Sequence, residues 1–229
     1  KVCAGGITLK DLKEIPKEIM GRSFDKMILF HRQKSMTLKV KKQSLYTCDR
    51  QVLGQYQLKQ LAKFSNISVR KNVKVKKIIN NNSLELDDGS IIRFQYLVGA
   101  DGTFSKVRKY LNISTSRSIV AIQYLVNQKF PEIEIHFSGD LFGRCYGWIF
   151  PHKDFTSIGC GETVETLQGG GRDLKGKLES WIKSKKISLE GARYQAFAIN
   201  ADYQGLKFGN VFLVGDAAGL ASGLTGEGI

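Results

Sequence analysis

Two short apolar strands in this chain end in the same way, and that ending restricts the fold more than any other feature. Tyr96-Leu97-Val98-Gly99-Ala100 runs straight into Asp101-Gly102, and Val211-Phe212-Leu213-Val214 runs into Gly215-Asp216. Both runs are short, uniformly apolar and bounded by turn residues, the pattern of a buried strand. Passing at once into glycine and aspartate, such a strand lets backbone N–H groups come close to a phosphate or a planar ring beyond the strand end. Either ending alone is an ordinary turn; two of them in one chain point to a shared purpose. The first continues into Phe104, Val107 and Leu111, the i, i+3, i+7 spacing of a short helix, so it is a strand, turn, helix unit. The second enters a stretch with seven glycines between Gly205 and Gly228.

The 229 residues suffice for one large domain or two interleaved ones. Met27–Phe30 and Thr37–Val40 read as strands, and Asp49 caps a helix from about Arg50 to Phe64 with Leu53, Tyr56, Leu61 and Phe64 near one face. Ile67–Val75, Ser83–Leu86 and Ile91–Phe94 follow as strands, the last two joined by an Asp87-Asp88-Gly89 turn. From Ser118 to about Gly161 the pattern is β-rich, with Ile119–Val126, Glu132–Phe137, Cys145–Phe150 and Thr156–Cys160 suggesting a mostly antiparallel sheet. Asp173–Lys185 is helical with Leu174, Leu178, Trp181 and Ile182 on one face, and Tyr194–Ala198 is a further strand. Gln168–Gly171 is the one linker-like patch.

Composition excludes several classes. The longest apolar runs fall far short of the roughly 20 residues of a membrane-spanning helix. Cys3, Cys48, Cys145 and Cys160 make no C-x-x-C pair, and His31, His136 and His152 show no metal spacing, so the sequence predicts no metal site and no disulfide framework. This reads as a cytoplasmic protein kept reduced. The net charge of +14 is concentrated: residues 1–78 hold 19 Lys and Arg against 5 Asp and Glu, and the remainder is balanced. Such a field attracts an anionic cofactor or an anionic membrane surface, which makes peripheral membrane contact an expectation. The plainer alternative is a lysine-rich solvated face, with Lys74, Lys76 and Lys77 protecting a strand edge. A nucleic-acid-binding module is disfavoured, because no recognition helix or aromatic ribonucleoprotein motif accompanies the charge.

With both strand-end motifs in view, the sequence resembles the flavoprotein family of aromatic hydroxylases and geranylgeranyl reductases. Gly99-Ala100-Asp101-Gly102-Thr103-Phe104-Ser105-Lys106-Val107-Arg108 is similar to its Gly-Ala-Asp-Gly motif, and Asn210–Gly219 to its Gly-Asp motif. Tyr146-Gly147-Trp148-Ile149-Phe150-Pro151, followed by Gly159-Cys160-Gly161, resembles the Tyr-x-Trp-x-Phe-Pro…Gly-x-Gly signature of the reductase branch. Lys1-Val2-Cys3-Ala4-Gly5-Gly6 resembles the Cys-Gly-rich loop beside the flavin ring, and Cys48-Asp49-Arg50 the family's Asp-Arg motif.

The resemblance implies a mixed α/β (α+β) protein, in which a Rossmann-like FAD-binding domain (1–114 and 202–229) is interleaved with an antiparallel-sheet substrate-binding domain (115–201). It implies FAD as cofactor, with Cys3, Ala4, Gly6, Arg50, Val73, Asp101, Gly102, Asp216, Gly228 and Ile229 as its contacts. A helix is expected to begin near Gly226, aiming the N–H groups of Gly228 and Ile229 at the flavin. Cys3 is the catalytic candidate, the alternative being a small buried hydrophobe. Tyr146, Trp148 and Phe150 would line the substrate cavity, the alternative being ordinary sheet packing. The implied reaction is reduction of carbon–carbon double bonds in a geranylgeranyl chain of a lipid or its precursor, drawing on NADPH, NADH or ferredoxin. A flavin monooxygenase shares both aspartate motifs and is the rival reading. The family's G-x-G-x-x-G unit is not among these residues and its next helix would follow Ile229, so the chain reads as a fragment of a longer protein.

Overall fold

The computed structural model describes residues 3–8, 15–40, 44–170 and 173–228. Strands β1 (Gly6–Thr8), β2 (Ser23–Phe24), β3 (Lys26–His31), β4 (Lys34–Lys39) and β5 (Leu45–Thr47) lead into helix α1 (Arg50–Leu61). Next come β6 (Val75–Asn80), β7 (Ser83–Leu86), β8 (Ile91–Arg93), β9 (Leu97–Gly99) and helix α2 (Lys106–Tyr110). Strands β10 (Ser118–Val126) and β11 (Ile133–Phe137) are followed by α3 (Gly139–Phe142), β12 (Gly147–Pro151) and β13 (Thr156–Thr163). Helices α4 (Val164–Gly170) and α5 (Leu174–Ser184), then strands β14 (Arg193–Asn200), β15 (Lys207–Phe208) and β16 (Val211–Leu213), complete the described strands and α-helices. The fold is mixed α/β. Two compact units emerge: Lys1–Lys63 with Val120–Phe197, and Phe64–Ile119 with Ala198–Ile229.

The first unit is built on a large sheet of seven strands in the order β14-β10-β13-β12-β11-β3-β4. One face is closed by helix α5. Asp173 caps this helix through Gly176 N–H at 2.8 Å, and Leu174, Leu178, Trp181 and Ile182 recur at helical spacing and are all buried. They meet Ile122, Tyr124, Ile149, Ile158 and Cys160 from the sheet and Phe142 from α3. Lys186, at φ +57°, stops the helix by entering the left-handed region. A small sheet, β1-β5-β2, completes the unit with a separate core of Ile7, Ile15, Tyr46, Cys48 and Leu53.

The hairpin β3–β4 belongs to the large sheet, whereas the sequence reading placed it with the nucleotide-binding portion. β3 runs parallel to β11, with Ile133 opposite Met27 through Phe137 opposite His31, and Lys26 pairs with Glu132 at 3.4 Å. Helix α1 starts as expected, with Asp49 accepting from Gln51 N–H at 2.7 Å. Its expected apolar face does not form: Leu53 is buried, but Leu61 and Phe64 are exposed. The strand expected over Ile67–Val75 begins only at Val75, because Asn72 adopts φ +59°, outside strand geometry. Gln168–Gly170, read as a linker, ends helix α4 instead, and Gly171 lies outside the described residues.

The second unit holds two three-stranded sheets, β15-β16-β9 and β6-β7-β8. Gly89 at φ +83° makes the turn between β7 and β8, and Ser90 N–H is held by Asp88 at 2.8 Å. Lys76 and Lys77 on the edge strand β6 both reach Glu85, at 2.6 and 3.2 Å, as expected of lysines guarding an edge. Val107, Val211, Leu213, Ala217 and Ala218 form this unit's core, flanked by Leu97 and Leu111. Phe104 is 74% exposed despite its helical spacing with Val107, because α2 begins only at Lys106.

Candidate functional site

In the second unit the two strand endings are neighbours. β16 lies parallel to β9, with Val211 opposite Leu97 and Leu213 opposite Gly99, so both Gly-Asp turns leave the carboxyl ends of adjacent parallel strands. Crevices at such ends are where open α/β sheets bind ligands. Gly99 is required by packing: a Cβ there would lie 2.7 Å from Val107 Cβ and 2.9 Å from Leu213 Cδ2. Its missing side chain lets α2 press against the strand.

Asp101 is spent on the loop itself. Its carboxylate accepts from Ser105 Oγ at 2.6 Å and from Lys106 N–H at 2.7 Å, and Ser105 in turn caps α2 through Arg108 N–H at 2.9 Å. Gly102 (φ +77°) and Gly215 (φ +56°) both have open space where a Cβ would stand. Asp216 is buried, accepts from Thr103 Oγ1 at 3.3 Å, and has its own carbonyl held by Asn200 Nδ2 at 2.9 Å. Gly228 is adjacent, since a Cβ there would lie 3.5 Å from Asp216 Oδ1. The helix expected near Gly226 does not begin by Gly228: Ser222 N–H bonds Glu227 O at 2.8 Å and Gly226 N–H bonds Ser222 O at 2.9 Å, closing a loop instead. Ile229 lies outside the described residues. Val73 lies, exposed, in the irregular stretch before β6.

Arg108 was legible only as part of a motif, yet it organises this site. It is 2% exposed and donates to Ala217 O (3.3 Å), Ser114 O (2.9 Å) and Asp202 O (2.9 Å), with Asp202 Oδ2 at 3.4 Å. One guanidinium thus joins the helix of the first motif to the turn of the second. Asp202 also accepts from Ser116 N–H at 2.8 Å and Gln204 Nε2 at 2.9 Å. The Ser116 bond, then Gln204 and Arg108, hold its carboxyl below the usual aspartate range.

The first unit carries the remaining site residues in two groups. In one, Cys3 Sγ accepts from Gly5 N–H at 3.3 Å, and Gly5, at φ +78°, fits against Cys48 O and His152. Phe150 packs on Gly6, where a Cβ would meet its ring at 2.9 Å. His152 Nε2 donates to Ala4 O at 2.9 Å, and Arg50 opens α1 directly after Cys48 and Asp49. Cys3, Ala4, Gly6, Arg50 and Phe150 are therefore elements of one small neighbourhood. The Cys48 thiol is pushed up by burial, which keeps it protonated.

Burial holds His152 below the ordinary histidine value, with the Ala4 carbonyl and Asp49 pulling the other way. Burial likewise lowers His136, opposed by Glu134. The folded state thus keeps both rings neutral while the unfolded chain takes up protons below about pH 6.5. Their contribution to stability is complete above that value and is lost as pH falls. The urea midpoint is expected to drop between about pH 6.5 and 5, and His152→Gln, which keeps a donor for Ala4 O, is expected to flatten part of that slope.

The second group occupies the face of the large sheet opposite α5. Paired positions place Gly159, Trp148, Ile135, Leu29 and Met36 in one row across five strands. Such a row points to one side of a sheet. Tyr146, Phe150, Phe137 and Leu38 lie two positions along from members of the row and share the face. Met36, Leu38 and Phe137 are exposed, at 55%, 37% and 42%. Trp148 covers Gly159, where any Cβ would come within 2.4 Å of its indole, and Tyr146 stacks edge-on to Trp148 at 6.2 Å between ring centres. A hydrogen-bonded line crosses the same face: Trp148 Nε1 to Ser157 Oγ (2.9 Å), Ser157 Oγ to Gln123 Oε1 (2.8 Å), Gln123 Nε2 to Gln195 Oε1 (2.7 Å).

Parallel strands whose ends carry a buried aspartate and open glycine backbone define a nucleotide-cofactor protein, and Gly102, Gly215 and Asp216 have the room and polarity for such a group. The chain belongs to the FAD binding domain family, whose model matches residues 74–229. It is 32% identical over 151 residues to Protein CbrA of Escherichia coli (strain K12), a match covering 60% of this chain and 40% of that protein. It is 27% identical over 149 residues to the geranylgeranyl diphosphate reductase of Synechocystis sp., covering 61% of this chain and 36% of that one. The matches thus span about two fifths of these relatives. Among solved structures, a geranylgeranyl bacteriochlorophyll reductase-like protein from Thermoplasma acidophilum superposes with a TM-score of 0.83 at 17% identity, covering 99% of this chain and 64% of that chain. PqsL from Pseudomonas aeruginosa, a probable FAD-dependent monooxygenase, superposes at 0.68 and 15%, covering 94% and 69%. Both share the fold. Among the described residues no helix is long and apolar enough to cross a membrane.

Proposed function

We propose that this chain is part of an FAD-dependent oxidoreductase that reduces carbon–carbon double bonds in an isoprenoid chain, of the geranylgeranyl reductase type. The observation that carries the reading is the broad apolar sheet face, with Tyr146, Trp148 and Phe150 on it and Met36, Leu38 and Phe137 exposed. A flexible polyunsaturated chain has few polar groups to grip, and a flat wall of aromatic and aliphatic side chains holds it by area and excludes water. Reduced FAD, when bound, would supply a hydride to one alkene carbon, and a proton taken up by the other carbon completes the two hydrogens added. Gly102 and Gly215 would offer open backbone to the cofactor, and Asp216, beside Gly228, would accept a hydroxyl hydrogen from it. Asp101 would act indirectly, by fixing the loop that carries Gly102. Cys3, Ala4, Gly6 and Arg50 are proposed as further cofactor contacts, and Cys3 as the residue acting beside the ring. The basic first third of the chain is proposed to favour an anionic lipid surface.

The test uses the full-length protein with its flavin reduced in the absence of oxygen. Adding a geranylgeranyl glycerolipid is expected to restore the oxidised flavin spectrum and to raise the lipid mass by two hydrogens per reduced bond. A flavin that stays reduced until oxygen enters, followed by gain of an oxygen atom in an apolar substrate, overturns the reductase reading in favour of a monooxygenase.

A further inference from the structure

We infer that the side-chain amide of Gln195 is the polar recognition point of the apolar sheet face, and that it takes a hydrogen-bond-accepting oxygen at the polar end of an isoprenoid ligand. The inference rests on the reading of that face as a ligand wall, and it is carried by the direction of the hydrogen-bonded line. An indole N–H donates and never accepts, so Trp148 fixes Ser157 Oγ as its acceptor. The Ser157 hydroxyl then has its own hydrogen to give, and gives it to Gln123, which must meet it with Oε1. The Gln123 amide nitrogen therefore faces Gln195, and Gln195 receives it with its oxygen. The reverse arrangement, in which Ser157 Oγ accepts from Gln123 as well as from Trp148, would leave the fully buried Ser157 hydroxyl without an acceptor among the described residues, so the line runs outward and ends in the N–H pair of Gln195 Nε2.

Of the four side chains, the outermost is the most exposed one. Ser157 is 0% exposed, Gln123 2% and Trp148 7%, whereas Gln195 is half-buried on β14, the end strand of the sheet. Among the described residues Gln195 Nε2 has no acceptor. Reversing Gln195 alone sets two amide N–H groups against each other, and reversing it together with Gln123 strands the buried Ser157 hydroxyl hydrogen. The outer end is consequently a donor held in place at the β14 edge of the face that carries Tyr146, Trp148 and Phe150. Such a donor separates an isoprenoid ether, ester or alcohol from a hydrocarbon of the same length, because only the former offers it an oxygen.

The experiment is equilibrium binding to the full-length, flavin-loaded protein by calorimetry. Two probes are compared: geranylgeranyl methyl ether, which accepts but has no hydrogen to donate, and the corresponding C20 tetraene hydrocarbon. The ether is expected to bind about tenfold more tightly, the ratio one net hydrogen bond supplies. Gln195→Leu is expected to bring the ether down to the hydrocarbon's affinity and leave the hydrocarbon unchanged. Gln195→Glu, which still accepts from Gln123 but turns an oxygen outward, is expected to weaken the ether at least as much. Equal binding of both probes by the unmodified protein overturns the inference, as does an equal loss of both in Gln195→Leu. Neither probe binding at all overturns the ligand-wall reading itself.

Discussion

Arg108→Ala is expected to destabilise the protein by about 3–5 kcal/mol, the range for removing one partner of a buried ion pair. The loss has two parts. Asp202 is left charged in a buried setting with only Ser116 N–H and Gln204 to hold it, and the carbonyls of Ala217, Ser114 and Asp202 lose their donor. Urea denaturation reads the size of the effect, and a companion variant separates the parts. Arg108→Met with Asp202→Asn removes the stranded charge while filling the volume, and is expected to recover a substantial share of the stability. A double variant as unstable as the single one would show that the orphaned carbonyls dominate. The pH dependence follows from the depressed Asp202 carboxyl. Its contribution is complete above the ordinary aspartate value of about 3.9 and is lost as pH falls through the folded-state value; Asp202→Asn is expected to remove that acid limb.

The second large effect is expected at Gly219, and Gly215 provides its control. Gly219 has φ +75°, and an added Cβ would stand 2.2 Å from Asp202 O, 2.4 Å from Asp202 C and 2.8 Å from Tyr203 N. These are backbone atoms, so no side-chain rotation relieves the clash. Gly215 shares the left-handed conformation at φ +56°, but a Cβ there meets nothing. Gly215→Ala therefore carries only the conformational penalty of about 1–2 kcal/mol, whereas Gly219→Ala adds displacement of the Asp202 segment and is expected to lower the urea midpoint further. Flavin retention on gel filtration of the full-length protein should rank them differently. Gly215→Ala fills open space proposed for the cofactor, so it is expected to lose flavin while remaining folded. If Gly215→Ala keeps its flavin, the open side of that turn is not where the cofactor lies.

The sequence was most readable where a local pattern has one physical meaning. Strands ending in glycine and aspartate, the Asp49 cap of α1, the Asp87-Asp88-Gly89 turn and the apolar stripe of α5 all follow from short-range chemistry, and the structure bears them out. What was hidden depends on pairings between distant residues. Nothing local in Met27–Phe30 announces that β3 will run beside β11, and the face expected on α1 failed because burial of Leu61 and Phe64 depends on what covers them. Arg108 stood inside a recognised motif, yet its reach to Ala217 and Asp202 exists only after two distant segments meet. His152 and Gln123 carried no signal at all, since a buried histidine or glutamine looks in sequence like a solvated one. The one available clue was the small residue opposite a large one, as with Gly159 and Trp148, and it needed the strand register to be seen.

The parallel pairing of β3 with β11 also sets an order of events during folding. Met27 must find Ile133, a partner roughly a hundred residues further along the chain. On a ribosome the β3–β4 hairpin therefore emerges long before the strand that completes it, showing Leu29, Met36 and Leu38 to its surroundings in the meantime. Slow pairing of that kind is where misassembly and chaperone dependence concentrate. For this protein, the apolar sheet face proposed to hold an isoprenoid chain is also the surface that must be protected while the chain is being made.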